Sequence, residues 1–327
     1  MKHRISAAAA ILAAAALLMT GCASSSGDSG SAASTPGASG ALTKINVAVS
    51  PSATTSVPMY LGVNKGFFAE HGLDVTLSVL TNGTVAIPQV VSGQNQFSMA
   101  SLAPVVAAVA QGLPIKVVGA ANIIPTSDSQ FQGFVVRSDY TDSTLASAKI
   151  IAAQSALVDP VQADSVTKFG GDYSKLTILQ TPLTSIADAI KAGSADVGLL
   201  QQPFLAQAIA EPGLKLFNYI GPDQSLPGTP GAVFIGAEDY MKANPQIVSS
   251  FQAAVLESYA YAQSNQQETA NFVPNTGLST AVPPVNALGA YAATEVTADK
   301  YDELLQLYSK YGQNPNNLTS SGILYTP

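Results

Sequence analysis

Ser50, Ser52, Thr54, Thr55 and Ser56 crowd into VAVSPSATTSVPMYLG, residues 47–62, a stretch with no charged side chain that runs from an apolar strand pattern into the start of a helix. Hydroxyls at that spacing can donate and accept hydrogen bonds to a small polar molecule. Two similar clusters follow: Asn82, Gly83 and Thr84, then Ser101 and Leu102 just ahead of Pro104. Gly83 permits close backbone approach, and Asn82 or Thr84 can cap a helix. Asn122 and Gln130 extend the series, and Ser155, Thr184 and Gln202 are the candidates in the second half of the chain. Taken singly, each hydroxyl could serve only as a helix cap or turn former. Taken together, these residues read as a ligand-binding rim.

Covalent and acid–base chemistry has little to work with. Cys22 is the only cysteine, and beyond the first few residues His71 is the only histidine and Arg137 the only arginine. Disulfides, thiolate clusters and a cysteine nucleophile are excluded, and imidazole metal sites or Ser-His-Asp triads lack their supply. No catalytic role, metal or cofactor is expected. Lys and Arg number 14 against 21 Asp and Glu, a net charge of −7, which becomes more negative once Lys2 and Arg4 are removed. Nucleic acid and anionic lipid surfaces are disfavoured as partners. Arg137, beside Ser138 and Asp139, fits an exposed structural charge better than an anion clamp, and Lys65 and His71 are expected at the solvent-facing end of a helix.

The elements that must position the rim alternate along the chain. Residues 1–21, MKHRISAAAAILAAAALLMTG, read as a secretory signal peptide, with an apolar run too short to span a bilayer, and Cys22 follows as a lipid-attachment cysteine. Residues 22–43 form a tether rich in Ser, Gly and Ala, which cannot bury enough apolar surface to order itself. Beyond it, short apolar strands alternate with helices, starting with a strand at 45–49, a helix at 58–69 opened by Pro58, and a strand at 73–79. This pattern argues for parallel sheets built from βαβ units. The units continue to about 219; after Gly236 helices take over, notably 245–264 and 299–311, where Tyr301, Leu304, Leu305 and Tyr308 fall at core-packing spacing. The body is long enough for two lobes. FVVRSDY from Phe134 and FIGAEDY from Phe234 echo one another and bracket the second group of βα units, as two connections to a second lobe would. Lobe I is therefore expected at 44–134 and 235–327, and lobe II at 135–234.

In open α/β sheets, ligands sit at the carboxyl ends of the strands, where helix N-termini point their N–H groups outward. That places the three clusters above at converging helix starts, able to hold an anion or a strong hydrogen-bond acceptor. No Lys or Arg lies in these loops, so neutral polar solutes are as plausible as anions.

The segment from Met59 to Asn122 resembles the nitrate, sulfonate and taurine substrate-binding lipoproteins of ABC importers, a group that includes relatives of thiamin-pyrimidine-binding proteins. The resemblance rests on four pieces in order: GFFAEHGLDV at Gly66–Val75, the small-residue loop Asn82–Thr84, SGQNQF at Ser92–Phe97, and GLPIKVV at Gly112–Val118. It continues less sharply through AIKAGSADVGLLQQPF and the stretch from Ala232 to Asn265, and departs most between Ser143 and Gly171.

The resemblance implies a type II periplasmic-binding-protein fold of the α/β class: two α/β lobes joined by two crossing strands with a ligand cleft between them. It implies an extracytoplasmic, monomeric receptor, held to the cell membrane only by lipid on Cys22, that captures a small polar organic molecule or oxyanion and delivers it to ABC transporter permease subunits. The alternatives are a scaffolding or adhesion lipoprotein without ligand, and a thiamin-pyrimidine-synthase-like enzyme. The enzyme would need a cysteine-rich segment and active-site histidines that this sequence does not supply.

Overall fold

Apolar strands separated by helices assemble into two sheets in the computed structural model, which describes residues 41–81, 85–126, 129–154, 160–221 and 226–327. Cys22, Asn82, Gly83, Thr84 and Ser155 lie outside the described residues, as do the signal peptide and most of the tether. In chain order the strands are β1 Thr43–Val49, β2 Leu73–Val79, β3 Phe97–Ser101, β4 Ile115–Ile123, β5 Gln132–Arg137, β6 Ile150–Ala153, β7 Thr177–Gln180, β8 Val197–Gln201, β9 Leu214–Tyr219, β10 Pro230–Ala237 and β11 Ala290–Tyr291. The first sheet runs β11, β4, β10, β3, β1, β2 and the second β7, β6, β8, β5, β9, both within one unit, Gly40–Pro327.

The sheets are mixed, a correction to the expectation of parallel ones. β1 pairs parallel with β2 and β3, and β6 with β7 and β8, but β10 runs antiparallel between β3 and β4, and β5 antiparallel between β8 and β9. The connectivity explains the reversal. The parallel strands end at the rim between the sheets, so a chain crossing there enters the other sheet from its rim end and must run against its neighbours. The echoing segments at Phe134 and Phe234 are these two reversed strands. Each lies whole in one sheet, so the expected lobe boundaries at 134/135 and 234/235 fall inside β5 and β10, and the chain crosses between Ile123 and Gln132 and between Tyr219 and Pro230. β11 also shows that strand structure does not stop at Gly236.

The first helix spans Ala53–Lys65, not 58–69, and Gly66 ends it in the left-handed region at φ 89°. Pro58 therefore sits inside the helix, where its missing N–H would leave the Thr54 carbonyl unpaired. Tyr291 Oη donates to that carbonyl at 2.7 Å, which explains how the proline is tolerated. The helix packs against Pro245–Ser264, the long helix that covers one face of the first sheet with Phe251 stacked on Phe97 at 4.0 Å and edge-on to Phe234 at 5.4 Å. Helix Ala298–Lys310 buries Tyr301, Leu304, Leu305 and Tyr308, as their spacing predicts.

Gly62 marks the closest approach of the two packed helices, because a Cβ there would stand 1.9 Å from Ser258 Oγ and 2.6 Å from its Cβ. Overpacking costs about 1–3 kcal/mol, against roughly 1 kcal/mol that alanine gains over glycine in a helix interior. Gly62→Ala is therefore expected to lose up to about 2 kcal/mol in urea unfolding; a midpoint raised by the full helix-propensity gain would show that the helices part without cost.

Candidate functional site

The carboxyl ends of the parallel strands of both sheets face one cavity of about 160 Å³. The first sheet's side supplies Ser50 after β1, Ser101 at the end of β3, Asn122 near the end of β4, and Thr55 from the first turn of helix Ala53–Lys65. The second contributes Gln132 at the start of β5, Gln154 after β6, Gln201 at the end of β8, and Gln162 on helix Pro160–Lys168. Met99, Phe131, Leu183, Leu199 and Ile220 fill the spaces between these polar groups. Among the described lining residues none is charged. Such a lining can bind by hydrogen bonds and apolar contact, and its amides offer donors and acceptors together.

Of the residues singled out in the sequence, Ser50, Thr55, Ser101 and Asn122 line this cavity. Asn122 is nearly buried, and its Oδ1 accepts from Ala232 N at 2.6 Å, which leaves the amide's N–H donors for a ligand. The flanking Gly231 keeps this arrangement open, since a Cβ there would meet Asn122 Oδ1 at 3.1 Å.

Ser52, Thr54, Ser56, Leu102, Gln130, Thr184 and Gln202 do not line the cavity. The cause for the first three is the early helix start: each step turns the side chain by about 100°, so Thr55 faces the cavity while its neighbours turn elsewhere. Ser56 Oγ donates to the Ser50 carbonyl at 2.7 Å. Ser52 Oγ and Thr54 Oγ1, both fully buried, donate at 2.7 and 2.8 Å to the backbone carbonyl of Gln202 on the second sheet's side. Leu102 opens helix Leu102–Ala110 and packs into the core. Gln130 is engaged through its backbone, its N–H donating to Asn286 O and its carbonyl accepting from Gln202 Nε2 at 3.1 Å. Gln202 Oε1 also accepts from Ala206 N at 3.2 Å, so this side chain braces its own loop. Thr184 is exposed on a short 3₁₀ turn whose Leu183 faces the cavity instead.

Gln132, Gln154, Gln162 and Gln201 were missed by the sequence reading. For Gln201 a signal existed: it is two residues from Leu199 on β8, hence on the same face, and both line the cavity.

A second bridge between the sheets' halves joins helix Pro160–Lys168 to the end of helix Ala298–Lys310. Asp164 Oδ1 accepts from Tyr311 Oη at 2.8 Å and Lys310 Nζ at 3.2 Å, with Lys168 Nζ 3.6 Å from Oδ2. Gln313 Nε2 donates to Tyr173 Oη at 3.2 Å, and the Tyr173 and Tyr311 rings meet edge-on at 5.6 Å. Partial burial alone would raise the Asp164 pKa, but the Tyr311 and Lys310 hydrogen bonds and the two lysine charges outweigh it and hold it below the usual carboxylate value. A lowered folded pKa adds stability above the unfolded value of about 3.9 and loses it as pH falls through the folded one. Asp164→Asn is thus expected to cost under about 1 kcal/mol at neutral pH, because solvent screens the pair, and to become indistinguishable from the parent once acid protonates the carboxylate. A pH series of urea midpoints checks this; a difference that persists at the acid end would assign the effect to something other than charge. Arg137 pairs with Asp139 at 3.0 Å on the surface, a structural role.

A family model described as NMT1/THI5 like matches residues 53–269. A formylaminopyrimidine-binding protein of Halalkalibacterium halodurans is 25% identical over 221 residues, 65% of this chain and 64% of that protein, so the chain spans less than two thirds of that relative's length. Two solved structures share the fold across nearly their whole length. The alkanesulfonate-binding protein SsuA of Xanthomonas axonopodis pv. citri, bound to MOPS, superposes with a TM-score of 0.70 at 14% identity, covering 88% of this chain and 99% of that one. The zinc-bound ligand-binding component of an ABC-type import system from Staphylococcus aureus gives 0.69 at 10% identity, covering 86% and 96%. Likeness at this level of identity shows the fold: a periplasmic-binding-protein fold of two α/β lobes, each built on one of the sheets.

Proposed function

Since the chain belongs to the NMT1/THI5-like family, we propose that it is an extracytoplasmic solute-binding protein that captures a small polar molecule between its lobes and delivers it to an ABC permease. The observation that carries this reading is the cavity itself. It lies where the strand ends of both sheets meet, and both lobes contribute hydrogen-bonding side chains to it. A site divided between two bodies joined by two chain crossings suits binding by lobe closure. Its lining of hydroxyls, amides and apolar groups is suited to holding a solute, not to proton transfer.

The relatives agree in kind: one is a formylaminopyrimidine-binding protein, another an alkanesulfonate-binding protein, and the third a ligand-binding component of an import system. The proposal includes a leader over residues 1–21 and lipid on Cys22 as the only membrane attachment, a monomer in solution, and lobe boundaries just outside β5 and β10. Ser50, Thr55, Ser101 and Asn122 are the ligand contacts on lobe I, with Gln132, Gln154, Gln162 and Gln201 facing them.

The test is a thermal-shift screen against thiamin pyrimidine precursors, alkanesulfonates, taurine, nitrate, amino acids and small aromatic acids. A ligand held at about one hundred times its Kd adds about 2.7 kcal/mol to the folded state, enough to raise the midpoint visibly. No shift across the panel, with protein shown to be folded and free of co-purified ligand, would count against a receptor.

A further inference from the structure

We propose that the cleft accepts an uncharged ligand about the size of a single ring and turns away an anion of the same shape. This rests on the solute-binding reading above and deepens it to a ligand class.

The first observation concerns the start of helix Ala53–Lys65, where the aligned peptide dipoles favour a negative group. The protein places its own neutral acceptor there. The Gln202 carbonyl, from the opposite lobe, receives Ser52 Oγ at 2.7 Å and Thr54 Oγ1 at 2.8 Å, with both hydroxyls fully buried. Only Thr55 of this first turn lines the cavity. Two of the hydroxyls that could have surrounded an oxyanion at this helix start are thus committed to a carbonyl oxygen.

The second observation is the charge of everything else at hand. The described lining residues carry none. The internal segments outside the description, 82–84, 127–128, 155–159 and 222–225, contain no Lys, Arg or His, while Asp128, Asp159 and Asp223 fall within them. Whatever their placement, they bring no positive charge. An anion moved from water into such a lining gives up its solvation without meeting an opposite charge, whereas an uncharged amide or ring nitrogen exchanges water for the donors and acceptors of Asn122, Gln154 and Gln201 at little cost.

Size supplies the third. A cavity of about 160 Å³ is comparable with one that holds benzene, and Met99, Phe131 and Leu199 offer apolar surface for the faces of a ring whose edges reach the amides.

Matched neutral and anionic pairs test the class directly: nicotinamide with nicotinate, benzamide with benzoate, and methanesulfonamide with methanesulfonate, titrated calorimetrically into the full-length protein at neutral pH. In at least one pair the neutral member is expected to bind more than about a hundredfold tighter than its anion, the loss that an uncompensated buried charge brings. An anion binding as tightly as its neutral partner overturns the inference and leaves the receptor reading standing. An anionic hit in the wider screen above, with no neutral one, does the same. Silence in both experiments removes the receptor reading instead.

Discussion

Ser52→Ala combined with Thr54→Val is expected to weaken ligand binding about a hundredfold while leaving the fold intact. The two hydroxyls are the hydrogen bonds from helix Ala53–Lys65 to the Gln202 carbonyl on the facing lobe. Each contributes about 1–1.5 kcal/mol net, and each 1.4 kcal/mol is tenfold in affinity. Neither substitution removes a helix cap, because the Ser52 side chain caps nothing. The bonds exist only with the lobes together, so their loss shifts the population toward separated lobes, and the observed affinity falls by the fraction of binding-competent protein. Ser56→Ala is the control. Its hydroxyl donates to Ser50 O within the same loop, so it should alter stability without altering closure. Calorimetric titration of the best ligand from the panels above decides the matter. A Kd for the double variant within threefold of the parent would mean that the Gln202 contact contributes nothing to holding the lobes together.

Much of this fold was legible in the sequence because hydrophobic period reports element type. The helix Pro245–Ser264 and the strand β9 stand at the residues their patterns predict, and the buried face of helix Ala298–Lys310 follows from its spacing. Strand direction was not legible. An apolar run reads the same in either sense, so the reversal of β5 and β10 emerges only from where the chain crosses between sheets. The helix start at Ala53 was hidden for a related reason. Pro58 signals a first turn when its carbonyl partner has no other donor, and that donor, Tyr291, lies 237 positions from Thr54. At the cavity, residue type picked out four lining positions, Ser50, Thr55, Ser101 and Asn122, but not the azimuth of their neighbours. A five-residue shift of the helix start decides which of Ser52, Thr54, Thr55 and Ser56 face a ligand, and the adjacent amides Gln201 and Gln202 part company because one ends a strand and the other braces the turn after it.

Asn122→Asp should be the most costly single change at the site, with a penalty that vanishes in acid as that of Asp164→Asn does, but from the opposite cause. The substitution keeps the shape and the bond from Ala232 N, but it replaces the two N–H donors with an oxygen and places a carboxylate among uncharged lining residues. Burial with one donor and no cation raises its folded pKa above the unfolded value of about 3.9. The folded variant then binds more protons than the unfolded one, so its stability declines as pH rises between the two values and levels off above the folded one. A penalty of about 2 kcal/mol at neutral pH corresponds to a rise of roughly 1.5 pKa units, and it should disappear in acid, where Asp164→Asn also converges on the parent but from the loss of a favourable charge. Binding should suffer as well. A ligand acceptor that met the Asn122 amide now meets a carboxylate, a loss of about a hundredfold. Urea unfolding from acid to neutral pH, with parent and variant side by side, reads the first effect, and titration of a neutral ligand reads the second. A variant whose stability follows the parent's at every pH would place Asn122 in open solvent and remove it from the ligand's surroundings.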